Sequence, residues 1–253
     1  ENKPDYLVAG IMRKAGYMPE LKEGGLPEAI AFVEEEINAS TYPVKPLLQS
    51  YLAQSYSNYL EQNIWKFRDR TDVGQAPSDD ITTWTIRQFE EKIRGLYWAS
   101  LYDEKLKTEP IANFAFLLAD SSNSHLRPTL FDLLAVRALD HFAHDASWLT
   151  KPVYQFEMDQ PEVLAPVEVF VSWRAETKDT ASYQLQVLKL YQELLSLRLA
   201  QAEEYPEALL DVDLKRLDYA LGQAVFENKD KAYLEALDAW SNKLQGDELQ
   251  TLV

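Results

Sequence analysis

Val187, Leu188, Tyr191, Leu194 and Leu195 recur at helical spacing, and Leu190 and Leu197 fall on another side of the same turn pattern. A helix over 181–202 is therefore apolar on two sides and must be covered on both. That requirement excludes a lone surface helix and favours helices packed in series, each flanked by neighbours. The same period runs through most of the chain. It predicts helices near 4–16, 27–39, 44–66, 83–102, 128–144, 181–202, 211–226 and 230–244, with a shorter one near 110–119. Strand-like alternation occurs weakly at "VEVFVSW" (167–173), which reads equally well as a helix end. The expected fold is all-α, built of stacked antiparallel helical hairpins. The C-terminal half, 181–244, is tetratricopeptide-like in helix length and aromatic content, without a strict sequence repeat.

Several helix starts have local chemistry behind them. Pro27 after "EGGL" suits a first turn. Thr83 is placed to cap "WTIRQFEEKIRGLYWASL", Pro128 to open "TLFDLLAVRALDHF", and Asp211 or Asp213 to cap "LKRLDYALGQAVF". The longest polar interruption is 67–82, and 145–180 is irregular and proline-bearing. The chain reads as one helical domain over 1–253, or as two lobes, 1–150 and 151–253.

Composition removes several function classes. There is no cysteine, so disulfides, thiolate catalysis and Cys-ligated zinc are excluded. No apolar run is long enough to span a bilayer. A net charge of −16 argues against nucleic acid and against an anionic lipid surface as partners. The opening "ENKPDYLVAG" has neither the charged nor the apolar region of a signal peptide. It fits a cytoplasmic chain or an exported one whose signal has been removed.

The stretch "DHFAHD" (140–145) holds two of the three histidines at a spacing that metal sites use. On a helical wheel His141 lies beside the Leu130 and Leu134 edge, and His144 lies on the polar side with Asp140. Arg137, a permanent cation, falls between them and would oppose a divalent ion. The expectation is an Asp140–His144 pair at a helix end, with no metal and no cofactor. The run "EEE" (34–36) reads as a solvated face. Asp79-Asp80 and Glu90-Glu91 are carboxylate pairs without distinctive context in a chain of 41 acidic residues. No phosphate loop, nucleophile elbow or zinc-protease motif is present. His125 among the serines of "DSSNSHLRP" is weak support for a nucleophile, so no catalytic residue is assigned. Trp65, Trp84, Trp98 and Trp240 lie in apolar helical stripes and are expected in the core. Trp148 and Trp173 fall in irregular stretches and are the candidate binding residues.

Five stretches, in order, carry a resemblance: "YPVKPLLQSYLAQSYSNYLEQNIWKFRDRTDV", "DDITTWTIRQF", "LRPTLFDLLAVRALDHF", "SWLTKPVYQFEMDQPEVLAP" and "LLDVDLKRLDYA". Over roughly 40–220 the chain resembles the helical N-terminal region of large bacterial alpha-2-macroglobulin-like proteins. The likeness is one of overall texture, without a short diagnostic motif. It implies an exported protein of the periplasm or cell envelope, often lipid-anchored, in a family that traps or inhibits proteases. The family's thioester needs a cysteine, and its trapping regions are β-sandwiches; neither is legible here. The resemblance thus implies a non-enzymatic docking segment. Its partner would be protein, either downstream domains of the same chain or another envelope protein. The alternative from the residues is a stand-alone helical module that binds a glycan or peptide through surface aromatics.

Overall fold

The computed structural model describes residues 3–22, 24–68, 70, 77–117, 121–144, 156–179 and 182–244; the side chains of 121–123 and 144 also lie outside the description. The fold is all-α. Among the described residues the α-helices are α1 (Pro4–Leu21), α2 (Gly25–Ala39), α3 (Val44–Phe67), α4 (Ile86–Ser100), α5 (Leu130–His144), α6 (Val167–Ser172), α7 (Tyr183–Leu199), α8 (Pro206–Gln223) and α9 (Lys229–Lys243). Short 3-10 turns lie between them at Ile81–Thr83, Glu104–Lys107, Ile111–Leu117, Ser121–Leu126 and Pro161–Leu164. The β pairing among these residues is limited to two isolated bridges, Pro110 with Thr129 and Met158 with Ala224. "VEVFVSW" is helical, as α6. The described residues form two compact units. One gathers those up to Leu117 with Thr129–Ala138, and the other those of 121–128, Leu139–His144 and 156–244.

In the first unit α1 packs on α2 and α3, and α3 on α4. The α1–α2 turn is set by two glycines. Gly24 sits at φ +76°, a conformation that costs glycine nothing. Gly25 is buried, and a Cβ there would meet the Met18 carbonyl oxygen at 2.5 Å. Backbone approaches backbone too closely for any side chain. Gly25→Ala is expected to lower stability by about 1–3 kcal/mol, read as the midpoint of urea unfolding. An unchanged midpoint would mean that the turn relaxes around the added methyl.

Two expected helix starts move. Thr83 belongs to a 3-10 turn that Asp80 caps. The cap of α4 is Thr85, which takes the Gln88 N–H while the Gln88 side chain takes the Thr85 N–H at 2.9 Å. This reciprocal pair satisfies two end donors at once, which Thr83 with Ile86 three residues on cannot do. At α5 the same device replaces Pro128: the Asp132 carboxylate accepts from the Thr129 N–H at 2.9 Å and from its hydroxyl at 2.6 Å. The core of this unit is aromatic. Phe89 is fully buried, with ring centroids 4.9 Å from Phe67, 5.1 Å from Trp84 and 5.8 Å from Tyr59. Tyr56 stacks on Trp84 at 5.5 Å and donates its hydroxyl to Glu34 at 3.0 Å, and Lys92 reaches the same carboxylate at 2.7 Å. Glu34 is therefore half-buried and bonded to α3 and α4, not part of a fully solvated acidic face.

In the second unit α7 packs on α6 and α8, as a helix apolar on two sides requires. Leu185, Val187, Leu188, Leu190, Tyr191, Leu194 and Leu195 are all buried. The start of α8 lies at Pro206, five and seven residues before the expected caps Asp211 and Asp213. Proline at a first helical position loses no hydrogen bond, and Asp213 is mid-helix. There Asp213 holds Arg216, and both are fully buried. The guanidinium donates to Asp213 Oδ1 from Nε at 2.9 Å and from Nη2 at 2.6 Å, and from Nη1 to the Val163 and Ala165 carbonyls at 2.8 and 3.0 Å. The other Asp213 oxygen accepts from the Trp240 indole at 2.7 Å, and the Phe170 ring lies 4.6 Å from the guanidinium carbon. One buried ion pair thus joins α8, α9, α6 and the Pro161–Leu164 turn. At the end of α8 the Lys229 ammonium donates to the Leu221 and Ala224 carbonyls, both at 3.0 Å.

Candidate functional site

Two surfaces stand out, both in the first unit. On α1, Val8, Ile11 and Ala15 point inward and are buried. On the opposite side Tyr6, Tyr17 and Leu21 fall within about 60° of each other on the wheel. Their exposures are 71%, 56% and 84%. Fifteen residues of helix place Tyr6 and Leu21 about 22 Å apart. Gly10, Arg13 and Lys14 lie between them along the same exposed side, so this face is apolar at its two ends and basic in the middle. Beside it, Leu7, Gly10, Lys14, Phe32 and Glu36 border an open groove of about 580 Å³ between α1 and α2, in which the Lys14 ammonium sits 3.9 Å from the Phe32 ring centroid.

The second surface is a groove of about 510 Å³ where α3 begins and α4 ends. Tyr42, Lys45 and Gln49 supply one wall and Trp98, Tyr102 and Asp103 the other, with Pro46 and Ala99 between. Lys45, Pro46 and Gln49 share one side of the first turns of α3, and Tyr42 joins them from the turn just before the helix. Tyr42 is positioned by its hydroxyl, which donates to Glu109 at 3.2 Å, and by the Lys105 ammonium 5.3 Å from its ring. Burial and then the charge of Glu109 raise the Tyr42 hydroxyl well above the ordinary tyrosine range, so it remains a donor. Asp103 is fixed by capping: its Oδ1 accepts the Lys105 N–H at 3.0 Å. Tyr102, 88% exposed, stands at the rim.

The residues singled out in the sequence are distributed differently. Trp148 lies outside the described residues. Trp173 is half-buried; its indole donates to Gln160 at 2.9 Å and its ring stacks on Phe170 at 6.4 Å, and it lines neither groove. Trp84 and Trp240 are core. Trp65 is exposed near the end of α3, with the Lys66 ammonium 5.1 Å from its ring, and Trp98 is half-buried in the groove wall. Both were expected in the core; an apolar stripe near a helix end can outrun the neighbour that covers its middle. The His144 side chain lies outside the description, so the Asp140–His144 pair does too. Asp140 faces Lys215 at 3.6 Å, His141 meets the Phe142 ring at 5.8 Å, and His125 faces Glu207 at 3.1 Å. Arg137 donates to the Leu117 carbonyl at 3.2 Å. Among the described residues no group of three or more His, Asp or Glu is placed to hold a metal ion. Nor is any helix among them long and apolar enough to cross a membrane.

The fold and these surfaces define an all-α hairpin protein with an uncovered helix face and an aromatic groove. No family model, no curated protein and no solved structure matches the chain.

Proposed function

We propose that this chain is a non-catalytic helical docking module, the N-terminal segment of a large exported alpha-2-macroglobulin-like protein of the periplasm or cell envelope. The observation that carries the docking role is the exposed Tyr6–Tyr17–Leu21 face of α1, opposite the buried one. The five stretches quoted above carry the family assignment. Helix lengths and short turns in α7–α9 support a tetratricopeptide-like arrangement, a shape that presents helix faces to protein partners. The partner is protein: downstream domains of the same full-length chain, and failing those another envelope protein.

The test has two parts. The gene beyond Val253 should encode β-sandwich domains and a Cys-Gly-Glu-Gln thioester; a stop soon after would overturn the family assignment. The downstream domains, made as a separate polypeptide, should bind this chain. Tyr6→Ser with Leu21→Ser should weaken that binding at least about tenfold with an unchanged circular dichroism spectrum. Unchanged affinity would remove α1 as the docking face. A second reading, a helical module binding a glycan or peptide, is favoured by one separate observation: the aromatic groove between α3 and α4.

A further inference from the structure

We infer that the groove between the start of α3 and the end of α4 binds a neutral oligosaccharide; this rests on the second reading above and is independent of docking through α1. The walls offer rings and hydrogen-bonding groups together. Tyr42, Trp98 and Tyr102 are flat apolar surfaces, and Tyr102 stands almost fully exposed at the rim. Such rings suit the C–H faces of a pyranose, whose edge carries hydroxyls. Each hydroxyl both donates and accepts. The polar lining matches that duality: the Gln49 amide does both, the Lys45 ammonium donates and the Asp103 carboxylate accepts.

Charge narrows the ligand further. The chain carries −16, yet this lining holds one cation and one anion and so has no net sign. Phosphates and polyanions have no cluster to meet there, and a polycation has no acidic trough. Peptide ligands fit less well. An extended peptide gains affinity by pairing with an exposed sheet edge, and the described residues hold no strand. A bound helix needs an unbroken apolar trough, which Lys45, Gln49 and Asp103 interrupt. A proline-rich segment offers carbonyls but few N–H donors, so it would leave Asp103 without a donor from the ligand. The volume of about 510 Å³ is within the range of small-ligand sites. The wall is also held in place before any ligand arrives, since Glu109 takes the Tyr42 hydroxyl and Asp103 is fixed by its cap.

Calorimetric titration of the chain with cellohexaose, maltohexaose, mannohexaose and chitohexaose tests the inference, with decaproline as the peptide probe. At least one hexasaccharide is expected to bind. Tyr102→Ala and Gln49→Ala should each weaken it about tenfold or more with the unfolding midpoint unchanged, while Leu21→Ser should bind as the parent does. Absence of saturation by all four sugars overturns the inference, as does binding that Tyr102→Ala leaves intact. Decaproline binding that Tyr102→Ala abolishes, without sugar binding, overturns the glycan assignment and keeps the groove as a peptide site. Docking through α1 is read in a separate titration with Tyr6→Ser and Leu21→Ser, so its failure is seen apart from this one.

Discussion

Asp213→Asn is expected to cost about 3–5 kcal/mol, because it leaves the Arg216 cation buried without its counter-charge. The substitution is nearly isosteric and can keep an oxygen for the Trp240 indole, so it isolates the charge. Burial already pulls the Arg216 guanidinium below its ordinary pKa range, and Asp213 is the main opposing influence. Urea unfolding followed by tryptophan fluorescence reads the loss, since Trp240 bonds to Asp213 directly. The double variant Asp213→Asn with Arg216→Met, which removes both charges and keeps an oxygen for the Trp240 indole, should recover part of it. A cost below about 1 kcal/mol for Asp213→Asn would show that the Val163 and Ala165 carbonyls suffice to hold the cation, within the range of ordinary hydrogen-bond contributions.

Phe89→Ala is expected to cost the first unit a similar amount, about 3–5 kcal/mol. The ring is fully buried and lies against Phe67, Trp84, Tyr59 and Tyr56. Its removal loses transfer energy and leaves a void that four rings cannot close together, because aromatic side chains are stiff and large. Phe89→Leu, which keeps most of the volume, should cost distinctly less. Near-ultraviolet circular dichroism separates this from a general loss of helix: the aromatic signal should fall while the far-ultraviolet spectrum holds. Equal costs for Ala and Leu would mean that ring packing, not volume, holds this core.

The helical class was legible because period and burial coincide. In α7 the residues that the wheel placed on two sides are buried except Leu197 near the helix end, which is half-buried, and α3 and α9 end close to where their patterns do. Helix starts were less legible. Asp211 and Asp213 resemble caps by residue type, and nothing local distinguishes a capping aspartate from one reserved for Arg216 three residues later. That distinction depends on Trp240, Val163 and Ala165, which are distant in sequence. Pro27 after "EGGL" was legible as a first turn, but the approach of Gly25 to Met18 follows from how α1 and α2 pack. The groove was hidden for the same reason. Its two walls, 42–49 and 98–103, lie about fifty residues apart and meet only through the α3–α4 pairing. Trp98 read as core because its stripe is apolar, and the stripe does not say where the partner helix stops. The usable signal was the mixture of Tyr42, Lys45 and Gln49 around a helix start, neither wholly apolar nor wholly polar.

The cluster around Arg216 also bears on how long the folded unit lasts. Its Asp213 contact is local and can form as soon as α8 does. Its bonds to Val163 and Ala165 span 53 and 51 residues, so the intervening chain must close before they exist. Contacts that complete themselves after the main barrier contribute little to the speed of folding and much to the slowness of unfolding. Breaking the bonds to Val163 and Ala165 is therefore expected to speed unfolding of the α6–α9 helices more than it slows their folding, which stopped-flow kinetics of Arg216→Met would read; an equal slowing of folding would place these contacts before the barrier.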